Sequence, residues 1–255
     1  MTSGSARTGL DVEVFGKGPD LVLLHSLLSD RGAFDRVKDA LAASFRLHLV
    51  SLPGYGASAS KQESTVEAYS DRVASDLKLK NFFLLGNGFG GFVALGVAIR
   101  HPERVAKLLA APALAGFPAP AKEPFRVMAA RVREGGMQAV LEAAIQRMFP
   151  PAFIAAHPDV VAERKRALAQ ADPQSFARAC IALSNLDFSS SLKKIACKTL
   201  VMVGELDQTT PPALARELAA GIAGAQFREL PGCGHCPQIE QPEAFAAALR
   251  GFLAN

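Results

Sequence analysis

The chain has 255 residues, of which 49% are hydrophobic, so it can bury one large core. Its 28 Lys and Arg side chains are scattered among 24 Asp and Glu, and the net charge of +4 forms no basic block of the kind that binds nucleic acid. The N-terminal MTSGSARTG lacks the apolar run of a secretory signal, and no apolar stretch approaches the roughly eighteen residues that span a membrane. We therefore expect a cytoplasmic protein with neither a nucleic-acid nor a membrane partner.

Short apolar runs bounded by turn residues recur along the chain and predict buried parallel strands. These runs are residues 21–24, 47–50, 82–85, 105–109 and 200–203, and residues 227–230 are also strand-like. Apolar residues at helical spacing lie between most of them. Alternating strands and helices predict a doubly wound α/β fold, in which helices cover both faces of a mostly parallel sheet.

Two of the intervening helices have recognisable starting points. Ser64 and Glu67 form a capping-box pattern before apolar residues at helical spacing, which predicts a helix start there. Pro211 and Pro212 predict the start of a helix near the C-terminal end of the chain, because proline fits the first turn.

Strand patterns stop between about residues 117 and 192, where helical spacing dominates. We predict a helical cap over residues 117–192, inserted into a core formed by residues 1–116 and 193–255. A cap over the carboxyl ends of parallel strands encloses a pocket at the place where such sheets bind ligands.

Residues 86–90, GNGFG, join a predicted strand to a predicted helix. This is the context of a nucleophile elbow, G-x-S-x-G, whose sharp turn needs small residues such as Gly86 and Gly90 on either side of the nucleophile. Gly88 stands at the nucleophile position and has no side chain. Alone, the stretch would also fit a glycine-rich turn or a phosphate-binding loop.

Two residues further along the chain favour the elbow. Asp207 follows the strand predicted at 200–203, and His235 follows the strand predicted at 227–230. The order of nucleophile position, acid and histidine is typical of α/β-hydrolases, in which the imidazole removes the nucleophile's proton and the carboxylate orients the imidazole. We therefore predict a catalytic set of the Gly88 position, Asp207 and His235.

Backbone N–H groups would complete the site as an oxyanion hole. One donor in such a fold is the N–H after the nucleophile, here that of Phe89, and the other lies on the loop after an early strand. Leu27 is the preferred second donor and Ser26 the alternative. A single donor of this kind contributes about 3 kcal/mol in acyl transfer.

Four motifs together resemble the α/β-hydrolase superfamily. They are LLHSLLSD at 23–30, LPGYG at 52–56, the elbow, and GHCPQIEQP at 234–242. Residues 133–137, 147–149 with Phe153, 177–183 and Asp187 in the cap are similar to the 3-oxoadipate enol-lactonase branch, which is close to carboxylesterases. The resemblance implies hydrolysis of a small ester or lactone without a cofactor.

Two positions depart from that branch, whose members carry serine where Gly88 stands and often an aromatic residue where Met148 stands. The glycine at 88 puts the catalytic chemistry in question. The methionine at 148 puts the identity of the substrate in question. The carboxylate of a lactone acid would need a positively charged partner. Candidates for that partner are Arg126, Arg131 and Arg147. The predicted substrate contacts are Ser26, Arg126, Arg147, Met148 and Phe149.

The cysteines offer little further chemistry. Cys180, Cys197, Cys233 and Cys236 stand at irregular spacings, which favours reduced thiols over a disulfide framework. His235 with its two cysteine neighbours would give at most three metal ligands and no second cluster, so we predict no metal site.

Three interpretations stay open at this point, and the sequence leaves the oligomeric state open as well. The protein is an ester or lactone hydrolase whose serine has been replaced so that turnover stops, or an enzyme in which His235 and Asp207 activate water directly, or a ligand-binding protein without catalysis. The second is chemically reasonable because an incomplete triad still accelerates hydrolysis roughly 10³–10⁴-fold.

Overall fold

The structure is a computed structural model that describes residues 9–254, and within that range seven strands form one sheet. The strands are β1 (Val12–Phe15), β2 (Asp20–Leu24), β3 (Arg46–Val50), β4 (Phe82–Gly86), β5 (Val105–Ala110), β6 (Lys198–Gly204) and β7 (Gln226–Leu230). Their order across the sheet is β1-β3-β2-β4-β5-β6-β7. β1 pairs antiparallel with β3, while the other neighbouring strands pair in parallel. The predicted mostly parallel α/β sheet is confirmed.

Each of the five apolar runs lies inside one of the strands β2 to β6, and the strand-like residues 227–230 lie inside β7. No apolar run predicts β1, and its position at the edge of the sheet explains why. Val14 and Phe15 are exposed, so this strand lacks the continuous apolar run of a strand buried on both faces.

Eleven α-helices accompany the sheet within the described residues. They are α1 (Asp35–Ala42), α2 (Val66–Leu77), α3 (Phe89–Arg100), α4 (Ala119–Gly135), α5 (Leu141–Met148), α6 (Pro151–Ala156), α7 (Pro158–Ala169), α8 (Pro173–Asn185), α9 (Pro212–Ala220), α10 (Pro237–Glu240) and α11 (Pro242–Ala254). None of the helices between residues 9 and 254 is both long and apolar enough to cross a bilayer.

The helices cover both faces of the sheet. Leu21 and Leu23 of β2 point to the face that α1 and α11 cover, and they share a buried cluster with Phe245 of α11. Val22 and Leu24 belong to the larger cluster on the opposite face, which includes α2 and α3. The alternation follows from the two-residue period of a strand.

The helix starts agree with the sequence in one case and differ in the other. α9 begins at Pro212 after Pro211, as predicted. The prediction that Ser64 caps α2 is wrong. Thr65 is the N-cap, and its Oγ1 accepts the Ala68 N–H at 3.2 Å. Ser64 lies one position too early to reach that amide, since an N-cap side chain bonds the second or third residue after it.

Helices α4 to α8 form the insert between β5 and β6. Apolar residues of α4 and α8, such as Met128 and Leu183, belong to the same buried cluster as Leu84 of β4. The insert is therefore packed onto the core over the elbow. Its limits at residues 117 and 192 stay a prediction.

Candidate active site

The turn between β4 and α3 has the backbone of a nucleophile elbow. Gly88 has φ 53° and ψ −120°, a conformation that side chains disfavour. Glycine is required at position 90 because two segments of the chain approach each other closely there. A Cβ on Gly90 would overlap the carbonyl of Leu24 and lie 2.7 Å from that of His25. The tight turn thus presses the start of α3 against the end of β2.

Asp207 and His235 meet at the carboxyl end of the sheet. Asp207 follows β6, His235 follows β7, and His235 Nδ1 lies 2.8 Å from Asp207 Oδ2. Both side chains are buried. The carboxylate also accepts hydrogen bonds from the N–H groups of Thr209 at 2.8 Å and Thr210 at 2.9 Å, and from the Thr210 hydroxyl at 2.6 Å. These bonds fix the orientation of the carboxylate. They therefore also fix the orientation of the His235 ring that is bonded to it.

The charge of Asp207 is stabilised despite its burial. Burial acts to raise the pKa of Asp207, but attraction to His235 and hydrogen bonds from His235 and Thr210 outweigh it, so the pKa lies below the ordinary value. An ionised carboxylate accepts the Nδ1–H of His235. In the neutral ring, Nε2 is then the atom that can accept a proton.

His235 faces the elbow. A Cβ on Gly88 would lie 3.1 Å from His235 Nε2. The backbone around the histidine is held by the N–H of His235 bonding to Met148 O at 3.2 Å, and by Asn87 Nδ2 bonding to His235 O at 3.3 Å. Gln238 Nε2 in turn bonds Asn87 Oδ1 at 3.1 Å.

Asn87 and Gln238 are site residues that the sequence analysis missed. Both lie within quoted motifs, the elbow and GHCPQ, and position within a motif was the one available signal. Glu240 is a third. It accepts the N–H groups of Gly234 at 2.7 Å and Cys236 at 2.8 Å, on either side of the histidine. Burial raises the pKa of Glu240, with these two hydrogen bonds acting in the opposite direction.

Backbone N–H groups beside Gly88 are available as donors. The N–H of Phe89 has no acceptor within residues 9–254, and the same is true of the N–H groups of Leu27 and Ser26, the two alternatives for the second donor. Buried N–H groups in folded proteins are nearly always paired. Donors without acceptors, next to a buried histidine, are what an oxyanion site requires.

Two spaces adjoin the histidine. The inner cavity leaves about 20 Å³ for water and lies between the elbow and the insert. Its lining includes Ser26, Leu27, Gly88, Phe89, Phe125, Met128, Arg147 and His235. The outer cleft is open, leaves about 770 Å³ for water, and is lined by residues of α5, α6 and the loops that carry Asp207 and His235. Arg147 and His235 line both spaces, so they separate the reacting centre from the cleft.

The predicted substrate contacts divide between these spaces. Met148 and Phe149 line the outer cleft and Ser26 the inner cavity. Arg147 has no carboxylate partner in the described part of the chain, and its guanidinium lies 5.3 Å from the centre of the Phe125 ring. Burial lowers the pKa of Arg147. The structure does not bring Arg126 to either space, because that side chain is exposed and pairs with Glu123 at 3.5 Å.

The cysteines near the histidine lie in apolar surroundings. Cys233 and Cys236 are buried, and burial raises the pKa of both thiols. Between residues 9 and 254, no three His, Cys, Asp or Glu side chains are grouped so that they could hold a metal ion.

The sheet, its helical insert and the elbow together define an α/β hydrolase fold. Residues 21–248 match the alpha/beta hydrolase family, and the chain belongs to that family. Among curated proteins it is similar to the pimeloyl-[acyl-carrier protein] methyl ester esterase of Vibrio campbellii, with 30% identity over 258 residues, 97% of this chain and 99% of the relative. The enzyme of the same name from Chromobacterium violaceum is also 30% identical, over 96% of this chain and 98% of its own length.

Solved structures give the same family. An esterase from Thermogutta terrifontis, solved with malate bound, is 30% identical with a TM-score of 0.87, covering 96% of this chain and 93% of the other. The enol-lactonase from Burkholderia xenovorans LB400 is 28% identical with a TM-score of 0.90 and covers 96% of both chains. The insert as well as the core is therefore shared with ester-hydrolysing relatives.

Proposed function

We propose that the protein is a carboxylic ester or lactone hydrolase, similar to enol-lactonases, whose site is built for acyl transfer and in which Gly88 occupies the position of the nucleophile serine. The observation that carries this proposal is the direction of His235. Its Nδ1 is bound to Asp207 at 2.8 Å, and its Nε2 lies 3.1 Å from the Cβ position of residue 88. A nucleophile in front of that nitrogen is within reach of a general base.

Each neighbouring group has a role in that chemistry. His235 Nε2 would accept the nucleophile's proton, and the Asp207 carboxylate would stabilise the imidazolium. The N–H groups of Phe89 and Leu27 would bond the oxyanion, each contributing about 3 kcal/mol. His235 would then return the proton to the departing alcohol. Because the pKa of Asp207 is lowered, its carboxylate stays charged across the neutral pH range.

Arg147 and the apolar lining favour a substrate with an apolar body and a carboxylate. A partly buried guanidinium without an acidic partner is a ready site for an anion, and Arg binds carboxylates through two parallel hydrogen bonds. Met148 and Phe149 are buried in the wall of the outer cleft beside Arg147 and make that wall apolar. The names of the relatives, methyl ester esterase and enol-lactonase, agree with an ester or lactone substrate.

The size of the inner cavity favours a second candidate, direct attack by water. A water molecule needs about 10–15 Å³ of this kind of space and two to four polar partners. The inner cavity leaves about 20 Å³, next to His235 Nε2 and the free N–H groups. In that mechanism, His235 would activate the water without an acyl-enzyme.

Hydrolysis of p-nitrophenyl butyrate and of an aliphatic δ-lactone tests the proposal. We expect product formation by the wild type that His235→Ala abolishes. The matched control is His101→Ala, which removes another His–Asp pair, at 2.8 Å from Asp71 and away from the site. Equal rates for the wild type and His235→Ala would contradict the proposal.

If the wild type shows no measurable turnover, the variant Gly88→Ser still tests the site. The variant supplies a hydroxyl at the elbow and should hydrolyse the same ester. If neither protein forms product, while a titration detects binding of the lactone, the protein is a ligand-binding member of the family.

A further inference from the structure

Ser26 fills the space that the missing side chain of Gly88 leaves in front of His235. A Cβ on Gly88 would overlap Ser26 Oγ and would lie 2.9 Å from Ser26 Cβ. The same point lies 3.1 Å from His235 Nε2. A hydroxyl group and the basic nitrogen of the histidine therefore flank one small space, where an elbow serine would otherwise project.

The Ser26 hydroxyl makes no hydrogen bond that would hold the described part of the fold together. Ser26 is 2% exposed, and its Oγ has no hydrogen-bond partner within residues 9–254. Buried serines nearby are paired: Ser58 Oγ bonds Ser51 O at 2.5 Å, and Ser70 Oγ bonds Val66 O at 2.8 Å. His235 Nε2 also lacks a partner in this part of the chain.

The backbone of Ser26 is held firmly by hydrogen bonds within its loop and between the loop and the elbow. Its carbonyl accepts hydrogen bonds from the Ser29 N–H at 3.2 Å and from His25 Nδ1 at 2.8 Å. The Gly90 N–H bonds His25 O at 3.0 Å and ties this loop to the elbow.

The oxyanion donors fit a nucleophile at either position. At an elbow, one donor is the N–H of the residue that follows the nucleophile, and the other comes from the loop after an early strand. Phe89 follows Gly88, and Leu27 follows Ser26. If attack came from Ser26, the same two N–H groups would serve with their roles exchanged.

We propose that Ser26 is the nucleophile of this protein, with His235 as its base; this rests on the proposed function. Ser26 Oγ bonds to the carbonyl carbon while its proton passes to His235 Nε2, and the N–H groups of Leu27 and Phe89 bond the oxyanion. The bond to the alcohol oxygen breaks, and the proton passes from His235 to that oxygen. Water then attacks acyl-Ser26, gives a proton to His235, and releases the acid as Ser26 regains its proton.

A fluorophosphonate tests this step because its phosphorus bonds covalently to an activated serine as fluoride leaves. We expect one adduct per chain of the wild type, seen in the intact mass. Trypsin releases residues 18–31 as one peptide containing both Ser26 and Ser29, so fragment ions must assign the adduct to Ser26. Ser26→Ala and His235→Ala should lose the adduct. Ser29→Ala, a matched change three residues along the same loop, should keep it.

Turnover of p-nitrophenyl butyrate gives a second readout. Loss of an activated serine in a triad costs up to about 10⁶-fold in kcat, so Ser26→Ala should lower kcat at least about 100-fold. Circular dichroism establishes whether the variant is folded. Full turnover by folded Ser26→Ala, or a wild type without an adduct on Ser26, would overturn the inference.

The variant Gly88→Ser separates this inference from the proposed function. An adduct at residue 88 of the variant, with none on Ser26 of the wild type, would support the proposed hydrolase site. The same result would rule out Ser26 as the nucleophile. If neither protein reacts with the fluorophosphonate or hydrolyses the ester, both proposals fail.

Discussion

Replacing Gly88 with serine should destabilise the protein by an amount that the structure determines. A side chain at φ 53° and ψ −120° strains the backbone by about 1–3 kcal/mol. The added Cβ would also overlap Ser26 Oγ, which must leave its present rotamer at a further cost of about 0.5–1.5 kcal/mol. We expect Gly88→Ser to lower the free energy of unfolding by about 2–4 kcal/mol.

Urea unfolding followed by circular dichroism measures this loss, since the chain has no tryptophan for a fluorescence signal. Gly88→Ala is the control for the added hydroxyl, because it adds the same Cβ, with the same backbone strain and the same overlap with Ser26 Oγ. Ser26→Ala alone should change the free energy of unfolding by less than about 0.5 kcal/mol, because its hydroxyl has no hydrogen-bond partner in the described structure.

The double variant Ser26→Ala/Gly88→Ser isolates the contact between the two positions. Without the Ser26 hydroxyl, the loss caused by Gly88→Ser should shrink by about 1 kcal/mol, a coupling typical of residues in contact. Strict additivity of the two changes would show that the Ser26 hydroxyl does not occupy the nucleophile space. A Gly88→Ser variant as stable as the wild type would refute the assignment of a strained elbow.

Three further predictions concern pH, packing and substrate charge. Burial lowers the pKa of His25 from 6.5 to about 4, so below pH 6.5 the unfolded chain binds a proton that the folded chain does not. The free energy of unfolding should therefore fall by about 3 kcal/mol between pH 7 and pH 4, and His25→Gln should remove that component in urea titrations at each pH. Gly90→Ala should cost more than about 4 kcal/mol or prevent folding because its Cβ meets fixed backbone, whereas Gly251→Ala, open on α11, should stabilise by about 0.5–1 kcal/mol in the same assay. Arg147→Ala should weaken binding of butyrate, the acid released from p-nitrophenyl butyrate, roughly 10–100-fold in calorimetry, while Arg126→Ala leaves it unchanged; equal effects would contradict a carboxylate site at Arg147.

The sequence predicts the sheet well because buried parallel strands are continuous apolar runs. Strands β2 to β6 follow from that pattern. The two edge strands do not, because β7 is only partly buried and Phe15 of β1 is 41% exposed. The N-cap of α2 differs by one residue, Thr65 in place of Ser64. Both residue types cap helices, so composition alone does not choose between them.

Positions within motifs predict which loops approach the elbow, but not the contacts between side chains. The pairing of Asp207 with His235 agrees with their order in the chain. The place of Ser26 depends on the distance between two loops about sixty residues apart, which no local pattern encodes. Arg126 and Arg147 looked alike in sequence. The helix face that each occupies puts one in solvent and the other between the two spaces.

The most direct test of a nucleophile position facing His235 is kcat/KM for p-nitrophenyl butyrate, measured for Gly88→Ser in the Ser26→Ala background, with and without His235→Ala. We predict that Gly88→Ser raises kcat/KM at least about 100-fold over Ser26→Ala alone, and that adding His235→Ala removes the gain, because the serine is inactive without its base. A folded Ser26→Ala/Gly88→Ser variant with no gain, or a gain that survives His235→Ala, would contradict this account of the site.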